Sequence, residues 1–357
     1  MAETEDFAPD ERPLRRGWTT GACATAATKS ALNALLTGHF EDPVTITLPG
    51  GQTPAFALAH EARGDGFAEA GIIKDAGDDP DVTHGALIIA RVAPGGAGTG
   101  VTFYAGDGVG TVTKPGLPIP PGEPAINPVP RKMMRAEIEA LCAAHRVPPD
   151  YAVTIAVRDG ARLAEKTWNP RLGIVGGLSI LGTTGIVIPY SCAAWIASIQ
   201  RGVDVARAVG LTHVVGATGD LSEQAARARL GLPEEAYLDM GDFVGGLLKY
   251  LKRHPVARVT IAGGFAKMVK LSQGAMDLHS ARGTVDFAAL AALVPADLQE
   301  SVLAANTANE VLALAGPALA ATIAQRARDE AQRIVGEASR VDALVVDRSG
   351  TIVGESD

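Results

Sequence analysis

The spacing of apolar and polar residues changes character along the chain, and the change divides it. From Val44 to about Ile155 the readable segments are short. VTITL (44–48) alternates with period two, TPAFAL (53–58) follows a PGGQ turn, and GALIIARV (85–92) and GVTFYAG (100–106) flank the turn PGGAGTG. Alternation over four to eight residues bounded by Gly and Pro marks half-buried strands, so antiparallel pairing is expected, with the last two segments joined as a hairpin. Upstream, GWTTGACATAATKSALNALL (17–36) places apolar residues at helical spacing behind two threonines and a glycine.

From about Gly173 the texture is different, with helical periodicity alternating with short apolar runs. SCAAWIASIQRGVDVARAVG (191–210), DLSEQAARARLG (220–231) and GDFVGGLLKYLKRH (241–254) read as helices; THVVGATG (212–219), EAYLDM (235–240) and VARVTIAGG (256–264) read as strands, the first ending in a glycine turn. Alanine-rich helices follow from about Phe287 to Ser339, then the strand VDALVVD (341–347) and a hairpin-like RSGTIVG. Strand and helix in alternation predict βαβ units and a parallel sheet. The expected fold class is an α+β N-terminal domain over 1–172, then an α/β domain over 173–340 with a mainly parallel, Rossmann-like sheet. A C-terminal strand and tail span 341–357. The length of 357 residues agrees with two domains, because single cores stop growing at about 250 to 300 residues.

Composition changes this picture little. The 41 glycines and 22 prolines imply many turns and close backbone approaches, and PGLPIPPGEPAINPVP (115–130) is a long Pro-rich loop of the kind that is functional or disordered. The acidic start MAETEDFAPDE lacks the basic and apolar blocks of a signal peptide. The longest apolar run, VLALAGPALAATIA, is short and broken by Gly316 and Pro317, so no membrane association and a cytoplasmic location are expected. Cys23, Cys142 and Cys192 form no CxxC pair and read as small buried hydrophobes, with no resident metal. A net charge of −8 argues against nucleic acid as a partner, which makes clustered cations informative.

Several stretches carry candidate chemistry. Thr19, Thr20 and Gly21 either cap an ordinary core helix or open its first amides to an anion. DAGDDPDVTHG (75–85) concentrates Asp79, Asp81 and His84; His84 and Ala90 stand where a calcium loop needs Gly and Glu, so the turn is either a plain chain reversal or a set of carboxylates for an amide, an amine or a cationic sulfonium, with His84 as an acid or base. GDGVGTVTKPG (106–116) exposes Asp107 and Lys114 among glycines. Just beyond it come Asn127 and the cluster Arg131, Lys132 and Arg135, suited to a polyanionic small molecule or else a solvated helix face. NPRLGIVGGLSILGTTGIVIPYS (169–191) holds a second Thr-Thr-Gly at Thr183, Thr184 and Gly185, after Gly182. In the second half, Gly216, Thr218 and Gly219 form a turn between strand and helix, and the next strand ends at Asp239. That is the layout in which a nucleoside cofactor lies over strand ends with an acid on its ribose. TIAGGFAKMVKL repeats the design and puts Lys267 and Lys270 on one helical turn.

Taken in order, GWTTGACATAATKSAL, AGDDPDVTHG, GVGTVTKPGL, GEPAINPVPRKM and NPRLGIVGGLSILGTTGIV resemble the motifs of the cobalt-precorrin-5B C(1)-methyltransferases of anaerobic cobalamin biosynthesis, and KMVKLSQGAMDLHS extends the similarity to about Ser280. The chain departs from that pattern near Gly264, where the family has a histidine, and at Asp277-Leu278, where it has Asn-Thr. The resemblance implies that S-adenosyl-L-methionine donates a methyl group to C1 of a cobalt-precorrin, cobalt arriving with the substrate. The acetates and propionates of a corrin precursor would then account for Lys114, Arg131, Lys132, Arg135, Lys267 and Lys270, with Thr19, Thr20, Gly21 and Asn127 as further substrate contacts. Asp107, His84, Asp79 and Asp81 are the candidate catalytic groups; Gly182, Thr183, Thr184, Gly185, Gly216, Thr218, Gly219 and Asp239 are the candidate cofactor contacts. A non-catalytic tetrapyrrole carrier and a small-molecule kinase are the alternatives, the second lacking a P-loop. A homodimer is compatible with the sequence.

Overall fold

The structure, a computed structural model, describes residues 13–356, so the acidic N-terminal stretch lies outside the described residues. The chain divides into two units, one built from residues up to Thr113 with Pro118–Ser191, the other from Lys114–Leu117 with Cys192 onward. The junction thus falls at Ser191. The segment 173–190 stays with the first unit because Ile174 and Val175 pair with Val112 and Thr111, and Leu178 and Ile180 are buried in the first core.

In the first unit β1 (Gly17–Trp18) leads into α1 (Thr20–Thr37), and the short β2 (Val44–Thr45) and β3 (Ala55–Phe56) pair with each other. The main strands are β4 (His60–Gly64), β5 (Phe67–Ile73), β6 (Leu87–Pro94) and β7 (Thr102–Ala105). Then come β8 (Thr111–Val112), α2 (Pro128–His145), β9 (Tyr151–Val157), α3 (Gly160–Ala164), β10 (Ile174–Val175) and β11 (Ile186–Val187). The sheet order is β4-β5-β6-β9-β7, antiparallel except between β7 and β9. The expected hairpin of β6 with β7 is therefore absent. β9, with Tyr151, Val153, Ile155 and Val157 all buried, takes the central place between them and leaves short β7 at the edge. A hairpin does form from β4 to β5 across Asp65-Gly66, with Gly66 at φ 70° as a two-residue turn requires. Helix α1 packs against β5, β6 and α2 through Ala22, Ala26, Ala27, Ala31 and Leu32, all fully buried. Its buried Thr25 and Thr28 donate to the carbonyls of Gly21 and Ala24, so the helix enters the core without orphan hydroxyls.

The second unit begins with α4 (Cys192–Ala208), β12 (His213–Ala217), α5 (Asp220–Leu230) and β13 (Tyr237–Asp239). It continues through α6 (Val244–Leu251), β14 (Arg258–Gly264) and α7 (Phe265–Ser272). The alanine-rich region folds as α8 (Phe287–Ala291), α9 (Ala296–Ala304) and α10 (Ala308–Val335), which is broken at Gly316 ahead of Pro317. The chain ends in β15 (Arg340–Val346) and β16 (Ile352–Glu355). The sheet order is β13-β12-β14-β15-β16; the first four strands are parallel and β16 returns antiparallel, so the terminal strands belong to this sheet. Ala226 of α5 joins Val215, Ala262 and Leu344 in one core, while Leu247 of α6 packs where a Cβ on Gly216 would stand. The chain steps from β12 outward to β13, then crosses back to place β14 on β12's other side. Successive connections therefore diverge between β12 and β14, and at such a point the strand ends open a crevice.

Candidate functional site

That crevice exists. A cavity of about 350 Å³ lies at the C-terminal ends of β12, β14 and β15, lined by Thr218, Gly219, Asp220, Leu221, Ser222, Gly264, Phe265, Ala266, Lys267, Asn309, Val346, Asp347 and Arg348. The N-cap residues of α5 and α7 are Gly219 and Gly264, and neither helix has a side-chain cap. A Cβ built on either glycine meets nothing within 4 Å, so both borders are open. Two uncapped helix starts bring partial positive charge to one cleft. Lys267 holds the rim: its ammonium donates to the Thr218 carbonyl at 2.7 Å and lies 3.0 Å from Asp242 Oδ1. Asp239, at the end of β13, aligns with Ala217 of β12 and accepts from the Gly241 amide. Gly216 faces the core rather than the cleft, because a Cβ there would stand 2.4 Å from Leu247. Lys270 does not share the rim with Lys267; it is buried, and its ammonium donates to the Leu278 carbonyl at 3.1 Å. Lys114 is paired with Glu235. Arg348, Asn309 and Asp220 are lining residues that the glycine pattern does not flag; the helix and strand ends on which they sit are the signal.

In the first unit the expected anion site at α1 is filled from within. The Thr19 hydroxyl accepts from the Ala22 amide, the Gly21 amide donates to the Leu181 carbonyl, and the Thr20 hydroxyl accepts from Leu181 N–H at 2.9 Å while donating to its carbonyl. Gly21 is buried, and a Cβ there would stand 2.6 Å from Pro130. These three residues answer to a seam: β1 pairs with β11, and the Thr19 amide donates to the Gly185 carbonyl. Gly182 packs on Thr19 and Gly185 on Leu48, while Thr183 and Thr184 are exposed. The expected cofactor set therefore falls in two units, 182–185 in the first and 216–239 in the second.

The aspartate-rich turn is an anchor. Asp75 takes a bidentate contact from Arg15, and Asp78 accepts from the Arg15 amide. Asp79 Oδ1 accepts from Tyr190 N–H at 2.8 Å. Asp81 takes the ammonium of Lys74, which is 1% exposed, at 2.7 Å, and two hydrogen bonds from Thr83. Burial pushes the Asp81 carboxyl up, but the Lys74 charge and these hydrogen bonds outweigh it and hold it below its ordinary value. His84 Nδ1 accepts from the Ala76 amide at 3.1 Å. Each of these side chains has a structural partner.

The basic cluster on α2 separates in the same way. Arg131 is spent internally, with Nε on the Ile126 carbonyl at 2.8 Å, one amine on Glu123 and the other on the Pro124 carbonyl, so it ties down the Pro-rich loop. Arg135 is exposed beside the Phe103 ring, Lys132 is exposed, and Asn127 is the N-cap of α2 without a side-chain cap bond. Asp107 is different: it is exposed on the lining of a second cavity, about 430 Å³, with Ile89, Gly108, Val157, Arg158, Asp159 and Gly160. The backbones meet too closely for side chains there, since a Cβ on Gly160 would stand 2.2 Å from the Gly108 carbonyl oxygen. Asp107 is thus an exposed carboxylate on a rim where two backbones pack closely, and Arg158 lines the same cavity. Among the described residues no three His, Cys, Asp or Glu side chains gather as metal ligands, and no helix is long and apolar enough to cross a membrane.

Comparison with known proteins adds a family. Residues 8–189 match the family model CbiD, and residues 277–357 match CbiD, C-terminal domain. The chain is 59% identical over 354 residues to the cobalt-precorrin-5B C(1)-methyltransferases of Brucella canis and Brucella suis, covering 97% of this chain and 96% of each relative. The Brucella anthropi protein of the same name is 59% identical over 353 residues, with 96% of both chains covered. A crystal structure of the cobalamin biosynthesis protein (cbiD) from Archaeoglobus fulgidus aligns at a TM-score of 0.40 and 26% identity, over 75% of this chain and 83% of that one.

Proposed function

The chain belongs to the CbiD family, and from that premise we infer that it transfers a methyl group to C1 of cobalt-precorrin-5B in cobalamin biosynthesis. It is an enzyme, a transferase of one-carbon groups, and cobalt comes to it as part of the substrate. We propose further that the methyl donor is S-adenosyl-L-methionine, seated in the crevice of the second unit, whose sheet we read as Rossmann-like, and that the enzyme works in the cytoplasm.

The observation that carries this reading is the cleft between the uncapped starts of α5 and α7. The residues present fit the donor. Open space at Gly219 and Gly264 admits a ligand against the backbone, free helix starts suit the methionyl carboxylate, and Asp239 stands one strand away where a ribose is held. When bound, the sulfonium supplies an electrophilic methyl group. Lys267, bridging Thr218 and Asp242, holds the β12 turn against α7 and keeps the cleft in one shape. A macrocycle that took up this methyl group would balance the charge gained by releasing a proton. Asp107, an exposed carboxylate on the rim of the first unit's cavity, is our candidate for taking that proton. Arg135 and Lys132 are the cations of α2 with reach for peripheral carboxylates; Arg131 is committed to the loop.

Calorimetric titration with S-adenosylhomocysteine tests the seat. Gly264 has φ −63° and ψ 147°, a conformation any residue adopts, so Gly264→Val is expected to fold with an unchanged Tm while a branched side chain enters the cleft. The expected result is tight binding by the parent and at least about tenfold weaker binding by the variant, the cost of a clash or lost contact of ~1.4 kcal/mol. Equal affinity in both would move the donor elsewhere.

A further inference from the structure

Tyr190 is the most exposed large apolar side chain of the described residues, at 68%, and it stands at φ 54°. The left-handed region crowds the Cβ of any L-residue, and an aromatic there is a true outlier, so glycine is the residue that turn would select on stability alone. The strain is held from both sides. The Tyr190 amide donates to Asp79 Oδ1 at 2.8 Å, and the turn carrying Asp79 is itself fixed by the Arg15–Asp75 and Lys74–Asp81 pairs. The chain leading to Tyr190 is tied by β11 to β1 and by Leu181 to the Thr20 hydroxyl. Ile188, two residues earlier, is 52% exposed and Leu181 is 49% exposed, on a segment whose other open side chains are Thr183 and Thr184. Strain kept where the backbone is over-determined, to hold an apolar ring in water, has no structural return.

We propose that Tyr190 is a stacking platform for a conjugated face of the tetrapyrrole substrate, and that Asp79 is the positioning residue that aims it. The inference rests on the reading that a cobalt-precorrin binds this enzyme, since a large planar π-system is the ligand chemistry that a rigid exposed ring recognises. It also gives the Asp79 carboxylate a task other than proton transfer.

The test uses the full chain, with cobyrinic acid, a cobalt corrinoid polycarboxylate, as probe, followed by its visible absorption. Tyr190→Phe is expected to bind like the parent. Tyr190→Ala and Tyr190→Gly are expected to bind roughly three- to tenfold more weakly, the range of a lost ring stack. Their S-adenosylhomocysteine affinity should be unchanged, and the glycine variant should match or exceed the parent in Tm because the left-handed strain is relieved. Asp79→Ala should weaken the corrinoid as Tyr190→Ala does, and Asp79→Asn, which keeps an acceptor oxygen, should not. Parent-like corrinoid affinity in Tyr190→Ala overturns the platform alone, as does a fall in Tm with loss of both ligands, which would make the ring structural. A parent enzyme that takes up no corrinoid overturns the reading beneath it as well.

Discussion

At the scale of single residues, side chains that look alike in the sequence divide by what they already hold. Arg131 and Arg135 are four residues apart on one helix, yet the first makes three internal hydrogen bonds and the second lies exposed beside Phe103. Arg131→Ala is therefore expected to lower stability by about 1 to 3 kcal/mol, because it removes the Arg131 donor from the Ile126 carbonyl and unties Glu123 and the Pro-rich loop, and to leave the protein's corrinoid affinity nearly intact. Denaturant titration of the variant checks the first half, and an unchanged midpoint would return Arg131 to the substrate. Asp107→Asn is expected to keep fold and ligand affinity and to lower turnover by roughly 10² to 10⁴ if the carboxylate accepts the ring proton. The aspartate turn gives a pH signature. Asp75 is held at about 2, chiefly by the Arg15 hydrogen bond and then by the Gly77 amide, with burial opposing them. A carboxylate depressed in the folded state contributes stability above its unfolded value of about 3.9, and that contribution is lost as pH falls through about 2. Thermal melts should show Asp75→Asn less stable than the parent at pH 5 and the difference shrinking toward pH 2, modestly, since the pair is partly exposed and screened. None of this division was legible beforehand: residue type shows what a side chain can bind, while its partners come from positions up to 161 residues away, as with Thr20 and Leu181.

At the scale of elements, local periodicity was a sound guide and pairing was not. The helices α1, α4, α5 and α6 and the strands β12 and β14 lie where their apolar spacing puts them, because each is specified by residues within one or two turns. The sheet order of the first unit needs β9, drawn from residues 151–157, to enter between β6 and β7, and no window of sequence carries that information. The Asp65-Gly66 turn did carry it for β4 and β5, as a short-range hairpin signal that alternation alone passes over. Glycine-rich loops, uniform in composition, likewise separate by surroundings. A Cβ on Gly177 would stand 2.3 Å from Gly108 backbone, whereas one on Gly219 meets nothing. Gly177→Ala should destabilise the protein by about 1 to 3 kcal/mol through overpacking of two backbones that cannot part, read as a lower urea midpoint. A Gly177→Ala protein as stable as the parent would mean that the crossing of these loops is looser than their geometry indicates.

At the scale of the whole molecule, the two textures of the sequence correspond to two cores, although the glycine-rich stretch 173–190 looks like the start of the second and packs in the first. Composition could not place it, because what fixes it is the pairing of Ile174 with Val112 and the burial of Leu178 and Ile180. That placement turns the question of the donor seat into a measurement, since the candidate cofactor residues now belong to different units. Hydrogen exchange with and without S-adenosylhomocysteine separates them. A ligand that binds only the folded cleft stabilises it by about 2.7 kcal/mol at a hundredfold excess over Kd, enough to slow exchange by roughly two orders of magnitude wherever opening breaks the site. Protection is expected in the amides of 219–222 and 264–267, at the starts of α5 and α7, and around 346–348 at the end of β15, where the cleft is built. Residues 182–185 should exchange as before, since none of them lines the cleft. Protection confined to 182–185 would place the donor in the first unit and leave the crevice at β12 and β14 to another ligand.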